Sequence, residues 1–259
     1  MDIFRANTKE LVWMKAIRHL INTPHKEDLN ILLELTDIYA TDELSESIRE
    51  WYSREIVNTR GIYPIETVAD TIFPNKYYRP GNIQYMTDRY LEDYDNYLST
   101  INSNKSGTYA ERILRGKKAN SEECYPLLKL VERLTEHRTN SNYNRLCYEV
   151  CIDYGDAISI NRNDSLTMGF PCLSHLSFKI DAHNNTLNLT ALYRSHYYVT
   201  KALGNLYGLC RLLAALCLES GWEAGNLVIH STYAKFDPEG STRKFCEKIK
   251  TMEDSNEFD

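Results

Sequence analysis

Cys172, Arg194, Ser195 and Asn205 are the residues whose types and spacing could do chemistry together. A cysteine attacks as its thiolate, and a neighbouring guanidinium favours that ionised form. The same guanidinium is a rigid fork suited to a phosphate, and a serine hydroxyl can donate to that phosphate as well. An asparagine amide offers a donor and an acceptor to the edge of a ligand. Together they read as a nucleophile in a pocket for a phosphorylated molecule. Each also has an ordinary structural role open to it: an inert core thiol, a structural ion pair, a helix cap. Their convergence on one point favours the pocket.

That convergence depends on the elements carrying them. From Cys172, alternate positions Ser174, Leu176, Phe178 and Ile180 share one face, and Leu187, Leu189, Ala191 and Tyr193 do the same after Asp-Ala-His-Asn-Asn-Thr. This predicts a β-hairpin. With Ile180 opposite Leu187, stepping outward brings Cys172 opposite Ser195 and beside Arg194. From about Tyr198 the pattern becomes helical through Leu203, Leu206, Leu209, Leu212, Leu213 and Leu216, with almost no polar face before Glu219. A helix apolar all round is a core helix. Asn205 stands in its first turns, and Gly221 suits its C′ position. Leu227, Val228 and Ile229 then read as a buried strand.

These residues resemble the catalytic half of the thymidylate synthases and the related pyrimidine nucleotide hydroxymethylases. Pro171-Cys172, a strand, a second strand ending in Arg194-Ser195, Asn205 eleven residues after that Arg, and Gly225 twenty after the Asn match in order and spacing. Thr108-Tyr109-Ala110 is similar to the family's Tyr-Gly segment, which makes Tyr109 a candidate pocket hydroxyl. Arg145 matches one of two adjacent arginines that, in the family, reach across a homodimer to the partner's nucleotide phosphate. The resemblance also offers Glu66 as the catalytic glutamate. Read from its own residues, Glu66 is a carboxylate on an apolar, helix-like run, where burial would raise its pKa and let it shuttle protons; a carboxylate interacting with the free amides of a helix N-terminus is the other reading.

The resemblance implies an α/β (α+β) fold of the thymidylate synthase type, with a mixed β-sheet, a long buried helix, a helical N-terminal layer over residues 1–60 and a thymidylate synthase-like domain over 61–259, together one globular unit. It implies a homodimer, a pyrimidine nucleoside monophosphate as substrate and 5,10-methylenetetrahydrofolate as cofactor. C5 of the pyrimidine is a poor nucleophile until a thiolate, here Cys172, adds to C6. A methyl or hydroxymethyl group is then transferred to C5. Asn at the base-reading position resembles the uracil-type enzymes. The chain has Tyr197 where the family places a folate-contacting Asp and Lys201 where it places a Gly; these departures motivate the alternative of a non-catalytic nucleotide-binding or regulatory protein that has lost the folate site.

The remaining sequence bounds the partners. A chain of 259 residues, 42% hydrophobic and 25% charged, can bury a substantial core. A net charge of −6 argues against a broad nucleic-acid footprint. Seven cysteines, an odd number with no spaced framework, fit a reducing compartment, and the N-terminus has no signal-peptide character, so the cytoplasm is the expected location with no membrane partner. No apolar run is expected to span a membrane. Helices are predicted over residues 10–21, 28–39, 43–51 and 122–137, one short helix within 74–104, and a strand over 146–152. Cys147 and Cys151 read as structural thiols, and no metal site is expected.

Overall fold

The computed structural model describes residues 1–58, 62–104, 107–117, 123–140, 148–152, 171–237 and 245–249. The chain opens with β1 (Asp2–Ala6), α1 (Lys9–Asn22) and β2 (Glu27–Leu35), then α2 (Glu43–Tyr52). Next come α3 (Ile65–Asp70), α4 (Ile83–Asn96), α5 (Tyr109–Leu114), the short pair β3 (Gly116–Lys117) and β4 (Glu123–Cys124), and α6 (Pro126–Thr139). The second half holds β5 (Glu149–Cys151), β6 (Leu173–Asp181), β7 (Thr186–Tyr193), β8 (His196–Tyr197), a π-helical turn at Tyr198–Ala202, α7 (Leu203–Ser220) and β9 (Glu223–Lys235).

The main sheet is mixed and runs β1-β2-β9-β7-β6-β5, with β8 paired to β9. β1/β2 and β7/β9 are parallel; β2/β9, β6/β7 and β5/β6 are antiparallel. One face is apolar by strand alternation: Ile31, Leu33 and Leu35 on β2, Leu187, Leu189 and Ala191 on β7, Leu227 and Ile229 on β9 are all buried. The molecule is thus α/β with a mixed sheet covered by helices on that face.

The hairpin, the buried helix and its stop are where the pattern predicts. α7 buries nearly every leucine it carries and ends at Gly221, whose φ of 79° is the left-handed C′ conformation and whose N–H donates to Cys217 O at 2.8 Å. The stretch Tyr198–Ser220 is long and apolar enough to cross a membrane, contrary to the expectation that no run would be, but most of it is buried against the sheet and against α1, α3 and α6.

The N-terminal layer needs correction. Residues 28–39 do not form a helix: Glu27–Leu35 is β2, lying between β1 and β9 in the main sheet. Its leucines and glutamate are good helix formers, but burial of alternate residues on one sheet face overrides local propensity. The first 60 residues therefore supply two strands as well as helices, and they share the sheet of the second half. Around residues 74–104 the main element is the 14-residue α4 rather than a short helix. α6 starts only at Pro126, where proline suits the first helical turn.

α3 is seated on α7 at two glycines. A Cβ on Gly204 would stand 2.5 Å from Val68 Cβ, and one on Gly208 would stand 2.8 Å from Ala69 O. This close approach carries Val68 of α3, and Thr71 just after it, to the wall of the site described next.

Candidate functional site

The hairpin register slips by one near its end. Pairing runs from Ile180↔Leu187 to His175↔Leu192 as the alternation predicts, then shifts, so that Leu173 faces Tyr193. A bulge at Ser174 lets Leu173 and Leu176 both face the core. Cys172 consequently lies opposite Arg194 rather than Ser195, and its carbonyl accepts the Arg194 N–H at 2.9 Å. The thiol and the guanidinium become closer neighbours than the unbroken register would make them. Arg194 Nε donates to Pro171 O at 3.0 Å; its guanidinium is exposed and near enough to lower the Cys172 pKa, but Arg194 is not among the cleft-lining residues described next.

Cys172, Tyr109, Ser195 and Asn205 line one cleft of about 550 Å³, whose wall also includes Tyr193, His196 and Lys201. Tyr109 opens α5, where Thr108 caps the helix by accepting from Glu111 N at 3.0 Å. Its hydroxyl accepts from Leu173 N at 3.4 Å, next to Cys172. Burial, together with the charge of Cys172, pushes the Tyr109 phenol up to about 12 against the opposing pull of the Leu173 and Cys172 amides and Arg194. The Cys172 thiol is also raised: burial outweighs the lowering by Arg194, a hydrogen bond with Tyr109, and Lys201. Both groups hold their protons at neutral pH. The thiolate depends on the two cations.

An alkylation profile checks this balance. Iodoacetamide should label Cys172 more slowly at pH 8 than it labels a free thiol, with the rate rising at higher pH than for that reference. Arg194→Ala or Lys201→Ala should move the rise further up. Mapping the labelled peptide separates Cys172 from the exposed Cys151.

Lys201 and Asn205 sit one helical turn apart and face the cleft together. The turn carrying Lys201 is held by Asp237, whose carboxylate accepts from Val199 N at 2.7 Å and Thr200 N at 3.0 Å, and by Trp13 Nε1 donating to Tyr198 O at 2.7 Å. Burial lowers the Lys201 pKa, opposed by Asp237 and Cys172, and its ammonium lies 5.1 Å from the centroid of the Tyr63 ring. Asn205 is not a helix cap: it is the third residue of α7, 3% exposed, and its Nδ2 donates to His196 Nε2 at 3.0 Å. Tyr193 Oη is fully buried, lines the cleft and makes no hydrogen bond among the described residues. A buried hydroxyl in that position is what a bound polar ligand would satisfy.

His196, Lys201 and Tyr193 are among the cleft residues that sequence reasoning did not assign. Lys201 was legible only as a departure from a pattern, and its one-turn spacing from Asn205 was the available signal. Nothing in the sequence points to His196 touching Asn205.

Glu66 does not face the cleft. It is largely exposed on α3 and ion-pairs with Arg211 of α7, which also reaches Asp70 at 3.4 Å. The apolar neighbours that suggested a raised pKa, Ile65 and Val68, are buried on the other side of the helix. Glu66→Gln should cost no more than about 1 kcal/mol, as for exposed ion pairs, and leave turnover unchanged; both are read by denaturation and a rate assay. His230 and Tyr233 bond Asn30 and Glu27 and are not among the cleft-lining residues. Arg145 and Cys147 lie outside the described residues. Asp2, His19 and Asp28 could offer ligand atoms within 4.8 Å of one another, but His19 Nε2 already bonds Asp28 Oδ2 at 2.6 Å.

A second chamber of about 460 Å³ adjoins the cleft, sharing Val68, Thr71, Asn104, Thr108 and Lys201. Its walls add Tyr63, Tyr77 and Tyr90 and the carboxylate of Asp70, whose pKa burial raises. Such a chamber suits a planar ring with polar edges. Compared with known families and with curated proteins, the chain matches no family model and no curated sequence.

Proposed function

We propose that this protein is a divergent transferase of the thymidylate synthase type, in fold and in chemistry, adding a methyl or hydroxymethyl group to C5 of a pyrimidine nucleoside monophosphate. The observation that carries this reading is the single cleft lined by Cys172, Tyr109, Ser195, Lys201 and Asn205, with the Arg194 guanidinium near enough to Cys172 to act on its thiol. Arg194, Ser195 and Lys201 bind the phosphate end and Asn205 reads the ring edge. Cys172 Sγ adds to C6, its proton having been lost, and C5 becomes an enolate-like nucleophile. Once C5 is substituted its own proton leaves, and elimination of the sulfur restores the ring. Tyr109 Oη, protonated beside the sulfur, donates a hydrogen bond that steadies the thiolate, and the thiol and C5 protons pass to water in the cleft. Methylenetetrahydrofolate, when bound, would supply the one-carbon unit and, for a methyl product, the hydride that reduces it, leaving as dihydrofolate, whereas for a hydroxymethyl product water would supply the hydroxyl and tetrahydrofolate would leave; Tyr63, Tyr77, Tyr90 and Asp70 are the residues that would hold its ring. The reading includes a cytoplasmic homodimer, with Arg145 completing the partner's phosphate grip.

A second reading has its own support. Tyr197 is exposed and Lys201 lines both chambers, in the places the resemblance assigns to a folate-contacting Asp and a Gly; Glu66 lies outside the cleft; and burial raises the Cys172 thiol. A nucleotide-binding regulatory protein would show these features. Release of tritium from 5-tritiated dUMP, UMP, dCMP and CMP, with and without methylenetetrahydrofolate, decides between the two. Folate-dependent release that Cys172→Ala abolishes supports the transferase. Nucleotide binding by calorimetry without any release supports the regulatory protein.

A further inference from the structure

We propose that Cys151 is a site of reversible S-thiolation by low-molecular-weight disulfides, with His175 as the base that takes its proton and Glu149 as the residue that orients the base. The sequence reads Cys151 as a structural thiol, but β5 turns it outward. Val150 is buried, whereas Glu149 and Cys151 are exposed on the opposite sheet face, where the register sets Cys151 beside His175 and Glu149 beside Ser177. Cys151 Sγ lies 3.5 Å from His175 Nδ1, and His175 Nε2 lies 2.7 Å from Glu149 Oε2. A nucleophile within reach of a base that a third group orients is the arrangement that activates a thiol.

The carboxylate decides where the protons sit. Burial raises the Glu149 pKa, but hydrogen bonds from Lys179, His175 and Ser177 outweigh it and hold the carboxyl below its ordinary value. At neutral pH Glu149 therefore only accepts, and His175 Nε2 carries a proton. The other tautomer would set the Nε2 lone pair against the carboxylate. In the neutral ring the lone pair is then on Nδ1, facing the thiol, and Cys151 S–H donates to it. When that proton crosses, a thiolate faces an imidazolium held by Glu149. Lys179 pairs with the same carboxylate and offsets its charge beside the sulfur. Further along the row from His175 stand Leu192 and His230, and on the helix side Arg112 of α5 reaches Ile152 O at 3.4 Å.

The surroundings of the thiol give the class of reactant. Cys151 lines neither of the two chambers described above, and it stands on an open sheet face. That suits a reaction needing only in-line approach to one atom, as thiol–disulfide exchange does. The thiolate attacks one sulfur of the incoming disulfide, the S–S bond breaks as the new bond to Sγ forms, and the departing thiolate takes the proton from His175 Nδ1. The disulfide is the oxidant. A second small thiol reverses the step.

Incubation with glutathione disulfide, followed by mass spectrometry of the Cys151 peptide, tests this. At about pH 6 a free thiol is only about 0.3% ionised, so a thiol that hands its proton to a neighbour gains most there. Cys151 should react at least about 10-fold faster than N-acetylcysteine at that pH, the gain left after the lower nucleophilicity of a more acidic thiol. His175→Phe should bring the rate within about 3-fold of N-acetylcysteine, and the isosteric Glu149→Gln should slow it by about 3-fold or more. At about pH 9.5, where a thiol ionises without help, all the folded proteins should converge. Circular dichroism confirms folding, and Glu149→Gln keeps the test open if His175→Phe does not fold. A merely structural role would change the rate by the same factor at both pH values. That result overturns the proposal, as does a wild-type Cys151 no faster than N-acetylcysteine at the lower pH or a folded His175→Phe protein reacting there at the wild-type rate.

Discussion

Cys172→Ala is expected to abolish C5 tritium release, by at least about 10⁴-fold, while the protein stays folded. The magnitude follows from removing the atom that forms the covalent bond: loss of a nucleophile removes the reaction path, leaving only the rate that binding and electrostatics support. The fold should survive because the thiol is only half-buried. The contact that fixes the strand end, Arg194 N–H to Cys172 O, belongs to the backbone and persists with any side chain. Unfolding free energy should change by no more than about 1–2 kcal/mol. Cys172→Ser should behave alike, since a serine is far less acidic than the thiol and no base among the described residues contacts it. Retained turnover in a folded Cys172→Ala protein would reject the covalent mechanism outright. It would leave the cleft as a binding site.

Gly204→Ala is expected to destabilise the protein by about 1–3 kcal/mol, opposite in sign to the usual gain of about 0.5–1 kcal/mol when a helical glycine becomes alanine. The added Cβ would meet Val68 Cβ at 2.5 Å and Ile65 O at 3.1 Å, so α3 must move away from α7. Gly204→Val should cost more. Urea denaturation measures both, and a Gly204→Ala protein as stable as the wild type would mean that α3 is not seated as described. The same movement should reach the cleft through Val68 and Thr71 and weaken ligand binding as well as stability. Surface changes on α3, such as Glu66→Gln, should do neither.

Stability and chemistry meet at this helix pair because α7 both closes the core and carries the site. The π-helical turn leading into it is fixed by Asp237, Trp13 and Tyr52, residues brought from three separate parts of the chain. Lys201 and Asn205 are aimed by that anchoring.

What the sequence determined by itself was local and periodic. Alternation predicted the hairpin of β6 and β7 and most of its register, because each residue's face follows from its neighbours two places away. The leucine-rich run predicted a buried helix, and Gly221 its end, because only glycine takes the left-handed C′ conformation without strain. Pro171-Cys172, Arg194-Ser195 and Asn205 could be placed near one another on that basis. Tertiary structure decided the rest. β2 reads as a helix until β1 and β9 flank it, since sheet burial is a property of neighbours distant in sequence. The bulge at Ser174 depends on Leu173 and Leu176 both finding the core, so the partner of Cys172 became Arg194. Glu66 turned outward because Arg211 stands on the facing helix, and Asn205 acquired His196 because β8 folds back beside α7. Periodicity reports which face of an element is apolar; the electrostatic partners of a side chain are set only when elements pack.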